Sequence, residues 1–159
     1  MKKITAISVV SLLLLASCGG KGKDAASMDY GLEEANEVIS YYNTSIDITK
    51  KMVDMGEISK IIDYMQKNGK TLVAPVVIRT PVSATDTTAL LNPGDCFPSS
   101  AADSLKMYYR RFFDVSKRLY ANYDTYRDYI KAEDYKDDNY AKGNEICKEE
   151  KELAEQIPG

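Results

Sequence analysis

Between Ser100 and Lys131, apolar or small residues fall at Leu105, Tyr109, Phe112, Ser116, Leu119, Tyr123, Tyr126 and Ile130. The steps alternate between four and three, a spacing that lines one face of an α-helix and no face of a strand. Pro98 and Ser99 stand just before it, and Ser100 and Asp103 offer oxygens to the free N–H groups of a first turn. A helix of about 32 residues is roughly 48 Å long. A one-sided helix of that length is not stable alone, so the rest of the chain must supply its partners.

Two further stripes answer that demand. From Met28 to Met65, Leu32, Ala35, Ile39, Tyr42, Ile46, Thr49 and Val53 repeat the alternation, and Ile58, Ile61, Ile62 and Met65 resume it after Gly56. A glycine inside a helix costs about 1 kcal/mol against alanine, so a kink is expected at Gly56 and a stop at Asn68-Gly69. From Asn139 to Ile157 a weaker seam runs through Gly143, Ile146, Glu150, Leu153 and Ile157, with Cys147 and Ala154 beside it. Between the first two stripes, residues 70–98 are β-branched and carry Pro75, Pro81, Pro93 and Pro98, so they read as an irregular connection with at most a short strand.

The expected fold class is therefore all-α: an elongated antiparallel three-helix bundle with that connection between helices one and two. Charge supports the order. Residues 28–66 hold three lysines against eight acids, 100–131 seven basic residues against four aspartates, and 132–159 four lysines against nine acids. A basic helix flanked by two acidic ones suits a bundle, although exposed pairs select an arrangement more than they stabilise it. If helix one is also antiparallel to the central helix, Met65 lies beside Ser100 and the N-terminal segment enters near Tyr135. That places Tyr108 to Phe113 roughly 50 Å from the entry end.

Residues 1–18 have the form of a targeting segment. Lys2 and Lys3 precede an apolar run from Ile4 to Leu15, and Leu15-Ala16-Ser17-Cys18 closes it. A run of about a dozen residues is too short to cross a bilayer, which takes about 20. The tetrad resembles a bacterial lipobox, which implies that Cys18 is the lipid attachment site, carrying acyl chains such as palmitate; an ordinary secretory cleavage is the plainer alternative. Gly19 after the cysteine points to passage to an outer membrane. Residues 19–27 then form a flexible tether spanning on the order of 15–18 Å, and residues 28–159 form the folded domain.

The chain has no histidine, which removes the commonest metal ligand and the commonest neutral-pH base. No phosphate loop, paired CxxC or metal-ligand spacing is present, so no catalytic residue, metal or cofactor is expected. After removal of the leader the net charge is −5, which argues against nucleic acid. Asp134, Asp137, Asp138 and Asn139 lack the pattern of a calcium loop and are expected to cap the third helix. Cys96 and Cys147 sit too far apart along the bundle for a disulfide. Of the twelve tyrosines, Tyr109, Tyr123 and Tyr126 suit packing in the seam. The run Tyr108, Tyr109, Arg110 and Arg111, beyond the end of the third helix, is the candidate binding site.

The lipobox, the segment Glu34-Ala-Asn-Glu-Val-Ile-Ser-Tyr-Tyr-Asn43 and the run from Tyr129 to Gly143 resemble the YiiG-like bacterial lipoproteins. That family is a domain of unknown function, and the resemblance covers its first half. It implies a helical, lipid-anchored protein and supplies no catalytic residues. The expected function is a non-enzymatic envelope protein that is held to the membrane by its lipid and binds a protein partner. The alternative is a module for glycans or peptides, using the 70–98 connection and Tyr108 to Phe113. The sequence leaves the oligomeric state open.

Overall fold

A computed structural model describes residues 31–69 and 73–157; the leader, Cys18 and the tether lie outside them. The described residues are all-helical and contain no strand. In chain order the helices are α1 (Leu32–Met52), α2 (Met55–Gln66), α3 (Ala84–Leu91), α4 (Ser99–Lys131), α5 (Tyr135–Asp138) and α6 (Ala141–Ala154).

The long helix α4 is the axis on which two cores are stacked. Against its C-terminal half, α2 and α6 close a cluster that includes Ile58, Ile61, Met65, Leu119, Tyr123, Tyr126, Ile146 and Leu153. Leu119, Tyr123 and Tyr126 have no exposed surface, and each apolar side chain of this kind contributes roughly 1.5–3 kcal/mol by leaving water. Against its N-terminal half, α1 and α3 close a smaller cluster around Ile48, Leu90 and Tyr109. The α6 seam is buried as expected, from Gly143 through Ile146, Glu150 and Leu153 to Ile157. Arg118 pairs with Glu149 at 2.7 Å and Arg111 donates to Gln156 at 3.0 Å, which sets α6 antiparallel to α4.

Helix one is where the expected bundle is corrected. It runs parallel to α4. Tyr41 stacks edge-on against Tyr109, the Tyr120 hydroxyl donates to the Met52 carbonyl at 3.0 Å, and the Tyr126 hydroxyl donates to the Met65 carbonyl at 3.1 Å. Met65 therefore lies beside Tyr126, not Ser100. With Tyr41 level with Tyr109, the start of α1 lies at the Ser99 end, roughly 12–20 Å along the axis from Tyr108 to Phe113 and not 50 Å. The connection has to travel back along the bundle, which explains its length.

The stripe expected to bury α1 is only partly used. Leu32 is 84 % exposed and Ile39 56 % exposed, while Ser45 and Ile48 are buried. The aromatic cluster outweighs the aliphatic stripe, because each ring carries on the order of 150–250 Å² of surface. Tyr41 donates to the Leu90 carbonyl at 2.8 Å and packs on Phe97 at 5.3 Å between centroids. That rotates α1 about its axis. The break also moves, from Gly56 to Val53–Asp54, because the Asp54 carboxylate accepts from Gly56 N at 2.7 Å and Glu57 N at 3.3 Å and starts a new helix. The stop falls where expected: Asn68 and Gly69 take left-handed angles and Gly69 N donates to the Tyr64 carbonyl.

Three smaller corrections concern helix ends. Residues 70–98 are not wholly irregular, since they contain α3, which starts with a reciprocal cap: Asp86 N donates to Ser83 Oγ at 3.0 Å and Ser83 N to Asp86 Oδ2 at 3.2 Å. The α4 start at Ser99 has no side-chain cap. The third helix begins at Ala141 after a one-turn piece, because Asn139 and Tyr140 adopt left-handed angles.

Candidate functional site

Residues 73–82 are neither helix nor strand and link the α2 stop to the Ser83 cap. Val73, Val76, Val77, Ile78 and Thr80 favour extended backbone, and Pro75 and Pro81 push the residue before each of them out of the helical region. The segment lies on α4. The Tyr123 hydroxyl donates to the Pro75 carbonyl, and Ala74 and Val77 pack against the main core. Arg79 pairs with Asp124 at 2.6 Å and lies over the Tyr120 ring at 5.3 Å. On the α2 side, Ile78 N donates to Glu57 Oε1 at 3.5 Å.

Side chains along the segment divide by face. Pro75 and Val77 are half-buried, and Arg79, though exposed, reaches across to Asp124. Val76 and Ile78 turn outward and are 81 % and 77 % exposed, with Val73 at 75 %. Between the segment and α4 runs an open groove of about 340 Å³, lined by Pro75, Val76, Arg79, Asp124 and Arg127. Arg127 sits over the Tyr123 ring at 5.7 Å and 3.9 Å from Asp124. The hydrogen bond from Arg79 holds the Asp124 carboxyl below its ordinary range, and burial raises the Tyr120 and Tyr123 hydroxyls. Asp124 is thus committed as an anion, and neither tyrosine is set to ionise. The groove can hold a ligand and align it, but it offers no activated nucleophile or base.

The four residues expected to bind, consecutive on α4, differ in burial. Tyr109 is buried, with 4 % exposure. Tyr108 is half-buried, stacks edge-on against Tyr109, and burial pushes its hydroxyl up to about 12. Arg110 and Arg111 face solvent. Tyr108 is about 24 Å along α4 from Asp124 by helical rise, so it and the groove do not form one site. A second, polar cavity of about 480 Å³ at the start of α4 is lined by Asp95, Phe97, Asp103 and Lys106 among others. Arg79, Asp124 and Arg127 were not singled out in the sequence; their meeting depends on the return path of the connection.

Of the acidic cluster, Asp138 alone caps α6: it accepts from Lys142 N at 3.0 Å and from Tyr129 Oη at 2.6 Å. Among the described residues, no group of three or more cysteines, aspartates or glutamates is placed to hold a metal ion. Cys96 and Cys147 are free thiols. No described helix is long and apolar enough to cross a membrane.

Residues 29–159 match the model of a domain of unknown function, DUF6845. Among solved structures, a DUF3829 family protein from Bacteroides vulgatus ATCC 8482 is 39% identical with a TM-score of 0.69, over 78% of this chain and 81% of that one. An alpha helical protein from Bacteroides fragilis NCTC 9343 is 34% identical with a TM-score of 0.64, over 78% of this chain. The match spans 46% of that longer protein. No curated protein matches the chain.

Proposed function

The chain belongs to the DUF6845 family, a domain of unknown function, and from that premise we propose that it is a lipid-anchored bacterial envelope protein that binds a protein partner and performs no catalysis. The observation that carries the binding half is the 73–80 segment. Its inner side is fixed to the long helix α4, while Val73, Val76 and Ile78 stand exposed and Arg79 and Arg127 line the groove beside them. Apolar side chains held out on a rigid support cost solubility, and contact with a partner is the usual compensation.

The anchoring half rests on Leu15-Ala16-Ser17-Cys18, with Gly19 favouring an outer membrane. The likeness of Glu34–Asn43 and Tyr129–Gly143 to YiiG-like lipoproteins supports the same reading. Anchoring through Cys18 puts the α1 end of the domain nearest the bilayer, with the groove farther out along α4.

Two experiments test the halves separately. Cys18→Ser should move the protein from the membrane fraction to the soluble one after cell lysis; retention in the membrane removes the lipid anchor. A photo-crosslinking residue at Ile78 should give a discrete adduct in intact cells, and the same residue at the exposed Lys148 should not. Identical patterns at both positions count against a partner site on the segment.

A further inference from the structure

The groove is bounded by a free backbone edge. Among the described residues, none from Val73 to Val82 bonds its main chain to another main-chain group. The Pro75 carbonyl is occupied by Tyr123 and the Ile78 N–H by Glu57. Amides of an extended chain point alternately to its two sides. With the Ile78 N–H turned toward Glu57 on α2, the alternation of an extended chain assigns the Val77 and Arg79 N–H groups to the opposite edge, the one whose Pro75 carbonyl meets Tyr123; both residues line the groove. Pro75 and Pro81 bracket residues 76–80 and donate nothing themselves. Unpaired edges invite strand addition unless they are covered or charged, and here Val76 and Ile78 stand exposed next to the edge.

The geometry points to an extended, β-branched peptide segment with an acidic side chain as the ligand, added as a strand along Val77–Arg79. This rests on the partner-binding reading above and gives that partner its chemistry. Main-chain bonds to the edge supply register, and Val76 and Ile78 supply apolar contact. Charge selects the acid: the residues that line the groove set Arg79 and Arg127 against the single carboxylate of Asp124, and Glu57 stands on the α2 side of the segment. A carboxylate from the peptide completes the second pair. A second copy of the chain is disfavoured, because a two-fold contact brings Arg79 and Arg127 against their own copies. Three exposed aliphatic side chains also fall well short of the ~800 Å² per partner of a stable interface.

The test is a seven-residue random peptide display selection on the purified protein, followed by fluorescence polarisation of the enriched peptides. Enriched sequences should alternate β-branched residues and carry aspartate or glutamate. N-methylation of alternate peptide amides along one edge should weaken binding about tenfold or more, and along the other edge barely. Arg127→Glu should lower affinity by a similar factor with the circular dichroism spectrum unchanged.

No enrichment over bare support, equal tolerance of both methylated sets, or indifference to Arg127→Glu overturns the proposal. So does a concentration-dependent dimer that Ile78→Lys abolishes, which would assign the edge to a second copy. If the selection fails while Ile78 still crosslinks in cells, partner binding stands and strand addition falls. If peptides bind as described while Ile78 gives no adduct, the cellular reading falls and the edge chemistry stands.

Discussion

Glu150 lies inside the main core with no exposed surface, and neither carboxyl oxygen has a hydrogen-bond partner. Burial pushes its pKa from 4.5 up to about 8; Glu149 adds to the rise, and Asn122 on α4 partly offsets it. The face that α2 buries holds Ile58, Ile61 and Met65 together with Tyr64. The sign follows directly. An unfolded chain gives up this proton near its ordinary value, whereas the folded protein keeps it until about pH 8, so stability is fully present at low pH and drains away as pH rises between the two. At about 1.4 kcal/mol per pH unit, the loss between about pH 5 and 7.5 is roughly 3 kcal/mol. The chain has no histidine to compete in that window. Glu150→Gln keeps the shape and removes the proton, so its stability should be nearly level across the window. It should match the native chain near pH 5 and exceed it by roughly 2–3 kcal/mol near pH 7.5. Urea unfolding followed by circular dichroism at both pH values measures this. A native chain equally stable at both, or a variant weaker at both, refutes the reasoning.

Three other substitutions probe the packing. Gly143→Ala places a Cβ 2.8 Å from the Tyr129 ring, whose hydroxyl is tied to Asp138; the crowding should outweigh the helix-propensity gain and lower stability by about 1–2 kcal/mol, and an unchanged melting temperature would mean that the ring gives way. Ser83→Ala removes the α3 cap and should cost about 1 kcal/mol by urea unfolding; no change would mean that α3 adds little to the fold. Tyr123→Phe loses the bond to the Pro75 carbonyl, which should cost about 0.5–1.5 kcal/mol and speed protease cleavage within residues 73–82; unchanged cleavage would mean that other contacts hold the segment.

Helix identity was legible in the sequence wherever a stripe met no competitor. The α6 seam, Glu150 included, appears as read, and the α4 seam does from Tyr109 to Tyr126, while Leu105 and Ile130 at its ends are only half-buried and Val115 and Tyr129 are buried beside it. The α1 stripe was misjudged because periodicity measures apolar spacing, not the size of what is buried, and Tyr41 with Ser45 outcompeted Leu32 and Ile39. Direction was legible for α6, which a short turn returns antiparallel to α4, and not for helix one, because a stripe reads the same whether its helix runs parallel or antiparallel. The signal for α3 was present: Ser83 and Asp86 have capping-box spacing and two leucines follow, but the prolines around them obscured it. The candidate site moved for the same reason as the fold. Only after the connection turns back along α4 does Arg79 reach Asp124, 45 residues away in sequence, and with it the neighbouring Arg127.

Amide hydrogen exchange of residues 76–80 in the free protein tests the central claim, that the returning segment is fixed to α4 by its side chains and keeps a free edge. The amides of Val77 and Arg79 should exchange as fast as unstructured chain, while those of Leu119 and Tyr123 on α4 stay protected, and adding a selected acidic peptide should slow the fast pair. Protection of Val77 and Arg79 comparable to α4 without any ligand would show that the edge is already paired and contradict the account.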